Sequence, residues 1–335
     1  MLFRPFAWCL IWLMGLFMAD SMANEQINFG VVGKTKRDSF YEQSLHGCEH
    51  YADSLKAEGV KLVCHYGGPE YFQDIREQAM SINELIDAGV DGLLVSTTDS
   101  HYLVKNALER AKQANIPVVT FDSDLLPEDQ DYRLAYVGTN NFDFGVALGE
   151  AAKTFKTQAS TLVCIQSGHE STPNLDERIQ GVRYALSNGT SRGRLTGEHG
   201  WSEYERCPFY SLGKRDMSVS QLELSLKRSV PMFIAVAGFA QFSPSYVERI
   251  SPYKEKIASN QLVIVSADTE SVQLDVLKLG LSTVNIGQRP YDMGRIGAEL
   301  LYTFVTTGQR PQQEFTYLGF HTCTSLNASN CTTND

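Results

Sequence analysis

VIVSADTESVQLDVLKLGLSTVNIGQRPYDMG, residues 263–294, is the stretch whose reading decides the fold. VIVSA is a short, nearly continuous apolar run. It is followed by a helical pattern and then a second apolar run, TVNIG. Such runs mark strands buried on both faces, and two of them joined through a helix lie parallel in one sheet. The first run ends in a lone carboxylate, Asp268, and the second in Gln288-Arg289-Pro290. Open parallel sheets bind ligands beyond the carboxyl ends of their strands. Asp268 and Gln288 are therefore expected to point into a cleft.

The same grammar runs upstream. INFGVVG (27–33), VKLVCHY (60–66), DGLLVS (91–96) and IPVVTFD (116–122) read as strands, and 39–59, 72–89 and 100–115 as the helices between them. The last strand delivers Asp122 to the same end. After LAYVGTNN (134–141) the pattern restarts: helix 142–156, strand STLVCIQ (160–166), helix 174–188, strand GRLTGEH (193–199), a helix around 218–229, strand MFIAVAG (232–238) and helix 244–258. The expected fold is α/β, with two doubly wound parallel-sheet lobes. The irregular piece 200–216 is long enough to be a functional loop.

The amino terminus reads as a secretory leader, residues 1–23. Arg4 precedes an apolar run from Phe6 to Met18, and Ser21-Met22-Ala23 offers a small-residue cleavage site. The run is shorter than the roughly 20 residues that cross a bilayer, so the expectation is an exported, soluble protein. Cys9 falls in this leader, and the other six cysteines point to disulfides in an oxidising compartment. Cys323 with Cys331 closes a short loop, Cys48 with Cys64 joins a helix to the next strand, and Cys164 with Cys207 remains; free buried thiols are the competing reading. No CxxC or accompanying His pair suggests a metal, and no cofactor is expected.

A net charge of −10 and the absence of a basic stripe argue against nucleic acid. Nucleophile-elbow, zincin and P-loop motifs are missing, and Gly30-Val31-Val32-Gly33 lacks the dinucleotide fingerprint. Asp122 and Asp124 form a close carboxylate pair of the kind that glycoside hydrolases use. At a strand end, however, such a pair more often caps a turn or accepts hydrogen bonds from hydroxyls.

Several blocks together resemble the type I periplasmic binding proteins of the ribose and galactose class, the sugar receptors of ABC transporters. They are GLLVSTTDSHYLVKNALERAKQANIPVVTFDSD (92–124), AYVGTNNFDFGVALGE (135–150), NLDERIQGVRYAL (174–186) and VSADTESVQLDVLKLGLSTVNIGQRPYDMG (265–294). The resemblance spans essentially 27–320. It implies a hinge crossed three times, with one lobe of 24–138 plus 289–316 and another of 139–288 plus 317–335. It also implies the ligand set. Asp122 closes TFD, Arg178 begins the helix after the sixth strand, Asp268 ends its strand, and Gln288 sits at the hinge. Phe40 and Tyr41 take the place of the family's aromatic pair, preceded by Asp38 where ribose binders carry Asn. Ser123-Asp124 stand where those binders follow the Asp with Arg. Trp201 falls as the aromatic of the second lobe's loop, and Phe239 stands where the family has an Asn-Asp pair.

The implied protein is a monomeric, non-enzymatic receptor. It closes on a small polar ligand, expected to be a monosaccharide, and delivers it to the membrane permease of an ABC transporter. Two alternatives are a sensing subunit for a membrane histidine kinase or chemoreceptor and a periplasmic glycoside hydrolase built on Asp122 and Asp124. A transcription regulator of related fold would need a helix-turn-helix where this chain has a leader.

Overall fold

The computed structural model describes residues 26–331; the leader expected at 1–23 lies outside them. In chain order the first half runs β1 (Ile27–Val32), α1 (Ser39–Leu55), β2 (Leu62–Gly67), α2 (Ile75–Asp87), β3 (Gly92–Val95), α3 (Ser100–Leu103), α4 (Glu109–Gln113), β4 (Val118–Phe121) and β5 (Ala135–Gly138). Next come α5 (Asn141–Lys153), β6 (Thr161–Ser167), α6 (Pro173–Leu186), β7 (Trp201–Glu203), β8 (Phe209–Tyr210), α7 (Arg215–Lys227) and β9 (Met232–Ala235). The chain finishes with α8 (Tyr246–Ile250), α9 (Lys254–Ala258), β10 (Val263–Ala267), α10 (Ser271–Lys278), β11 (Val284–Gly287), α11 (Pro290–Thr307), β12 (Phe315–Tyr317) and β13 (His321–Cys323).

Two sheets result, in strand orders β12-β5-β4-β3-β1-β2 and β13-β11-β10-β9-β6-β7, with β8 also pairing with β6. All named pairs are parallel except β11 with β13. The chain passes from the first sheet to the second after β5, returns after β11, and passes over again between β12 and β13. Apolar strands explain the layering: β3, β4, β9, β10 and β11 are buried along their whole length, so each sheet needs helices on both faces.

In each lobe a glycine lets two helices touch. A Cβ on Gly294 of α11 would meet the Ser44 carbonyl of α1, and one on Gly145 of α5 would meet the Arg178 carbonyl of α6. The second contact matters to the site, because it fixes the height at which Arg178 leaves its helix. Disulfides Cys48–Cys64, Cys164–Cys207 and Cys323–Cys331 join helix to strand, strand to loop, and the two arms of the tail.

The structure departs from the sequence reading in three places. GRLTGEH (193–199) is not a strand; it holds one bridge, Thr196 to Ser202, and the edge strand is β7. Gly193 and Gly197 interrupt the segment, and among 193–199 only Leu195 is buried. The helix expected over 244–258 breaks into α8 and α9 at Ser251–Tyr253, where Pro252 lacks the N–H a continuous helix needs. The helix over 100–115 is interrupted by a wide turn at Val104–Leu108.

Replacing Gly294 by Ala is expected to push α11 off α1, costing about 1–3 kcal/mol as overpacking does. Chemical denaturation of G294A against the wild type reads this directly, and an unchanged midpoint would contradict the close-packing argument.

Candidate ligand cleft

The carboxyl ends of both sheets face each other across a narrow, nearly filled cleft of about 40 Å³. Asp122 and Asp268 each follow the last residue of a central strand, β4 and β10, and both adopt left-handed backbone, with φ of 58° and 71°. Asp tolerates this region better than most residues, and non-glycine residues held there cluster at functional sites. The left-handed step turns each carboxylate out of the strand direction and into the cleft.

Asp122 is the centre of the polar network. Its Oδ2 accepts hydrogen bonds from Ser96 Oγ at 2.8 Å and the Tyr41 hydroxyl at 3.2 Å, and lies 3.3 Å from Lys34 Nζ. Its Oδ1 accepts from Asn174 Nδ2 at 3.2 Å and lies 3.5 Å from Arg178 Nη2. Burial pushes its pKa upward, but the Lys34 and Arg178 charges and the donated hydrogen bonds outweigh that and hold it below the ordinary value. Lys34 is 1% exposed, and burial drives its pKa down to about 8 against the opposing pull of Asp122. Its ammonium also donates to Asn174 Oδ1 at 3.0 Å, so Lys34, Asn174 and Asp122 link the two lobes directly.

Arg178 is held from three sides. It donates through Nε to Asn141 Oδ1 at 2.8 Å, through Nη1 to the Val236 carbonyl at 3.1 Å and through Nη2 to Gln288 Oε1 at 2.9 Å. Its guanidinium also stacks over Phe144, 4.6 Å from the ring centroid. Gln288 in turn donates to Asp268 Oδ1 at 2.8 Å. Burial raises the pKa of Asp268 against the pull of Arg178 and Gln288. Asp38 caps α1 by accepting from Phe40 N at 3.1 Å, and burial lifts its pKa to about 6. Phe40 and Tyr41 meet edge to face at 5.2 Å, and with Phe239 and Phe242 from the other lobe they supply the apolar walls.

Asp38, Phe40, Tyr41, Asp122, Arg178, Phe239, Asp268 and Gln288 thus all line one cleft. Three residues singled out in the sequence do not. Ser123 is fully buried behind the strand end, its backbone held by Phe121 and Thr97. Asp124 faces away and is taken by Arg133, which donates to both its oxygens at 2.7 Å and also reaches Glu314 at 2.9 Å. Trp201 lies in the core of the second lobe at 2% exposure, because its segment is the edge strand β7 rather than a cleft loop, and Lys156 covers its ring.

Lys34, Gln73, Asn174 and Phe242 also line the cleft and escaped the sequence reading. Lys34 had a usable signal, since it stands just past the carboxyl end of β1.

Two doubly wound lobes facing each other across a polar, aromatic-walled cleft define a small-molecule receptor of the bilobed kind. The chain belongs to the periplasmic binding protein domain family, whose model matches residues 29–310. It is 29% identical to the ribose import binding protein of Bacillus subtilis over 104 residues, 31% of this chain and 32% of that one, so it matches about a third of that relative's length. Among solved structures, it resembles an ABC transporter solute-binding protein from Burkholderia graminis in complex with D-arabinose. That match has 23% identity and a TM-score of 0.74 over 92% of this chain and 99% of the other. It also resembles one from Agrobacterium vitis bound with α-D-tagatopyranose, at 20% identity and a TM-score of 0.75 over 91% and 97%. These two share its fold.

Trp201→Ala is expected to destabilise the protein by about 3–5 kcal/mol, as large-to-small core changes do, while leaving ligand affinity unchanged. Phe239→Ala should do the reverse. Paired unfolding and binding measurements on the two variants test this, and loss of affinity in W201A at full folding would return Trp201 to the site.

Proposed function

We propose that this chain is an exported receptor that captures a monosaccharide between its lobes and delivers it to the permease of an ABC transporter. The observation that carries this reading is the convergence of Asp122 and Lys34 from one lobe with Asn174, Arg178, Asp268 and Gln288 from the other, around aromatic walls. Planar carboxylate, amide and guanidinium groups suit the vicinal hydroxyls of a sugar, and aromatic faces suit its C–H surface. Cations and carboxylates are both present in the cleft, and their offsetting charges favour an uncharged polyol. The sugars bound by the related solute-binding proteins point the same way.

Binding is favoured over glycoside hydrolysis by the fate of the carboxylate pair. Asp124 is engaged by Arg133 outside the cleft, so Asp122 has no second acid beside it from that pair. A periplasmic location accords with the leader and with the family. No helix among the described residues is long and apolar enough to cross a membrane.

Thermal unfolding of the mature protein against a panel of aldoses, ketoses, polyols and amino sugars tests the proposal. A ligand at a hundred times its dissociation constant stabilises the native state by about 2.7 kcal/mol. One monosaccharide is expected to raise the midpoint, and N174A and D268A are expected to abolish that shift. A folded protein that answers none of the panel would overturn the assignment.

A further inference from the structure

Outside the ligand lining, the Glu270 carboxyl group is hydrogen-bonded from one lobe to the other. Glu270 stands at the start of α10 in the second lobe, 3% exposed, where it forms a reciprocal cap with Gln273. It accepts a hydrogen bond from Gln43 Nε2 of α1, in the first lobe, at 2.6 Å, and Ser39 of the same helix is also hydrogen-bonded to it. Two of the carboxyl's hydrogen-bond partners thus come from the opposite lobe.

We propose that Glu270 is a proton-linked latch, whose carboxyl locks the lobes together more firmly in acid than at neutral pH. This inference rests on the proposed capture of a ligand between the lobes, which requires them to part and close, but not on the identity of the ligand. The charges around the latch give it its direction. Asp38 at the cap of α1 and Asp268 at the end of β10 both face Glu270 and disfavour its anion. Arg215 of α7 is directed at the other side, lying 3.9 Å from Asp38 and bonded to the Arg37 carbonyl. His321 of β13 contacts the adjacent Thr269 hydroxyl.

Burial is the largest influence on Glu270, and with the two acids it lifts the pKa to about 7 against the hydrogen bonds from Ser39 and Gln43. With the lobes apart the carboxyl meets water and returns toward its ordinary 4.5. The closed form therefore holds the proton more tightly. The latch is fully engaged below about pH 4.5 and is lost as pH rises through about 7. Between these limits the closed-to-open ratio is expected to fall by up to about tenfold per pH unit. Asp38 adds a similar contribution at lower pH, since its own value is about 6.

The test follows interlobe distance by fluorescence energy transfer between dyes on Met80→Cys of α2 and Met217→Cys of α7, both exposed positions on opposite lobes. No sugar is added, so the result stands apart from the monosaccharide assignment. The wild type is expected to shorten this distance as pH falls from 8 to 5. E270Q should hold a short distance at pH 8 and show only the smaller response that Asp38 supplies below about pH 6, and Gln43→Leu, which keeps Glu270 but removes its partner, should lengthen the distance at pH 5. A pH-independent wild type, or an E270Q variant that keeps the full wild-type response, would overturn the proposal.

Discussion

The carboxylate of Asp122, buried between two cations, is the interaction on which the rest of the site depends. A lone charge in a protein interior is costly, and stripping a partner from a buried pair commonly costs about 3–5 kcal/mol. Here the partners come from different lobes: Lys34 from the end of β1, and Arg178 and Asn174 from α6. The network is therefore satisfied only when the lobes approach. Groups that satisfy one another across a closing cleft are also the groups a polyhydroxylated ligand can engage by slotting its hydroxyls between them. The site and the contact between the lobes draw on the same hydrogen bonds.

Backbone geometry places these groups as much as side-chain chemistry does. Asp122 and Asp268 occupy corresponding places in the two lobes, each the first residue past a buried central strand and each in left-handed conformation. The parallel sheet brings the strand ends to one side, and the left-handed step turns the carboxylate inward. Behind them, Gly145 lets α5 press against α6 at Arg178, so that a helix contact well outside the cleft sets the position of its principal cation. Arg133 performs a different task nearby. By gripping Asp124 and Glu314 it ties the loop after β4 to the segment entering β12, close to where the chain crosses between lobes.

Much of this was legible in the sequence because parallel strands are buried on both faces and read as unbroken apolar runs. β10, α10 and β11 show this most clearly, and their ends located Asp268 and Gln288. Lys34 was harder to see. It stands in Gly33-Lys34-Thr35-Lys36-Arg37, beside two further basic residues, yet the fold buries Lys34 and leaves Lys36 and Arg37 partly exposed in ion pairs with Glu70. Trp201 misled for the opposite reason. Its edge strand is three residues long, too short to show a period, so a core tryptophan looked like a loop aromatic. Asp124 could be separated from Asp122 only by seeing Arg133, nine residues on, fold back onto it.

Hydrogen exchange followed by mass spectrometry, with and without a saturating sugar, tests the central claim most directly. The account predicts simultaneous protection of peptides containing Lys34 to Tyr41 and Asp122 in one lobe, and Asn174 to Arg178, Asp268 and Gln288 in the other. Protection confined to one lobe, or absent from these peptides, would contradict it.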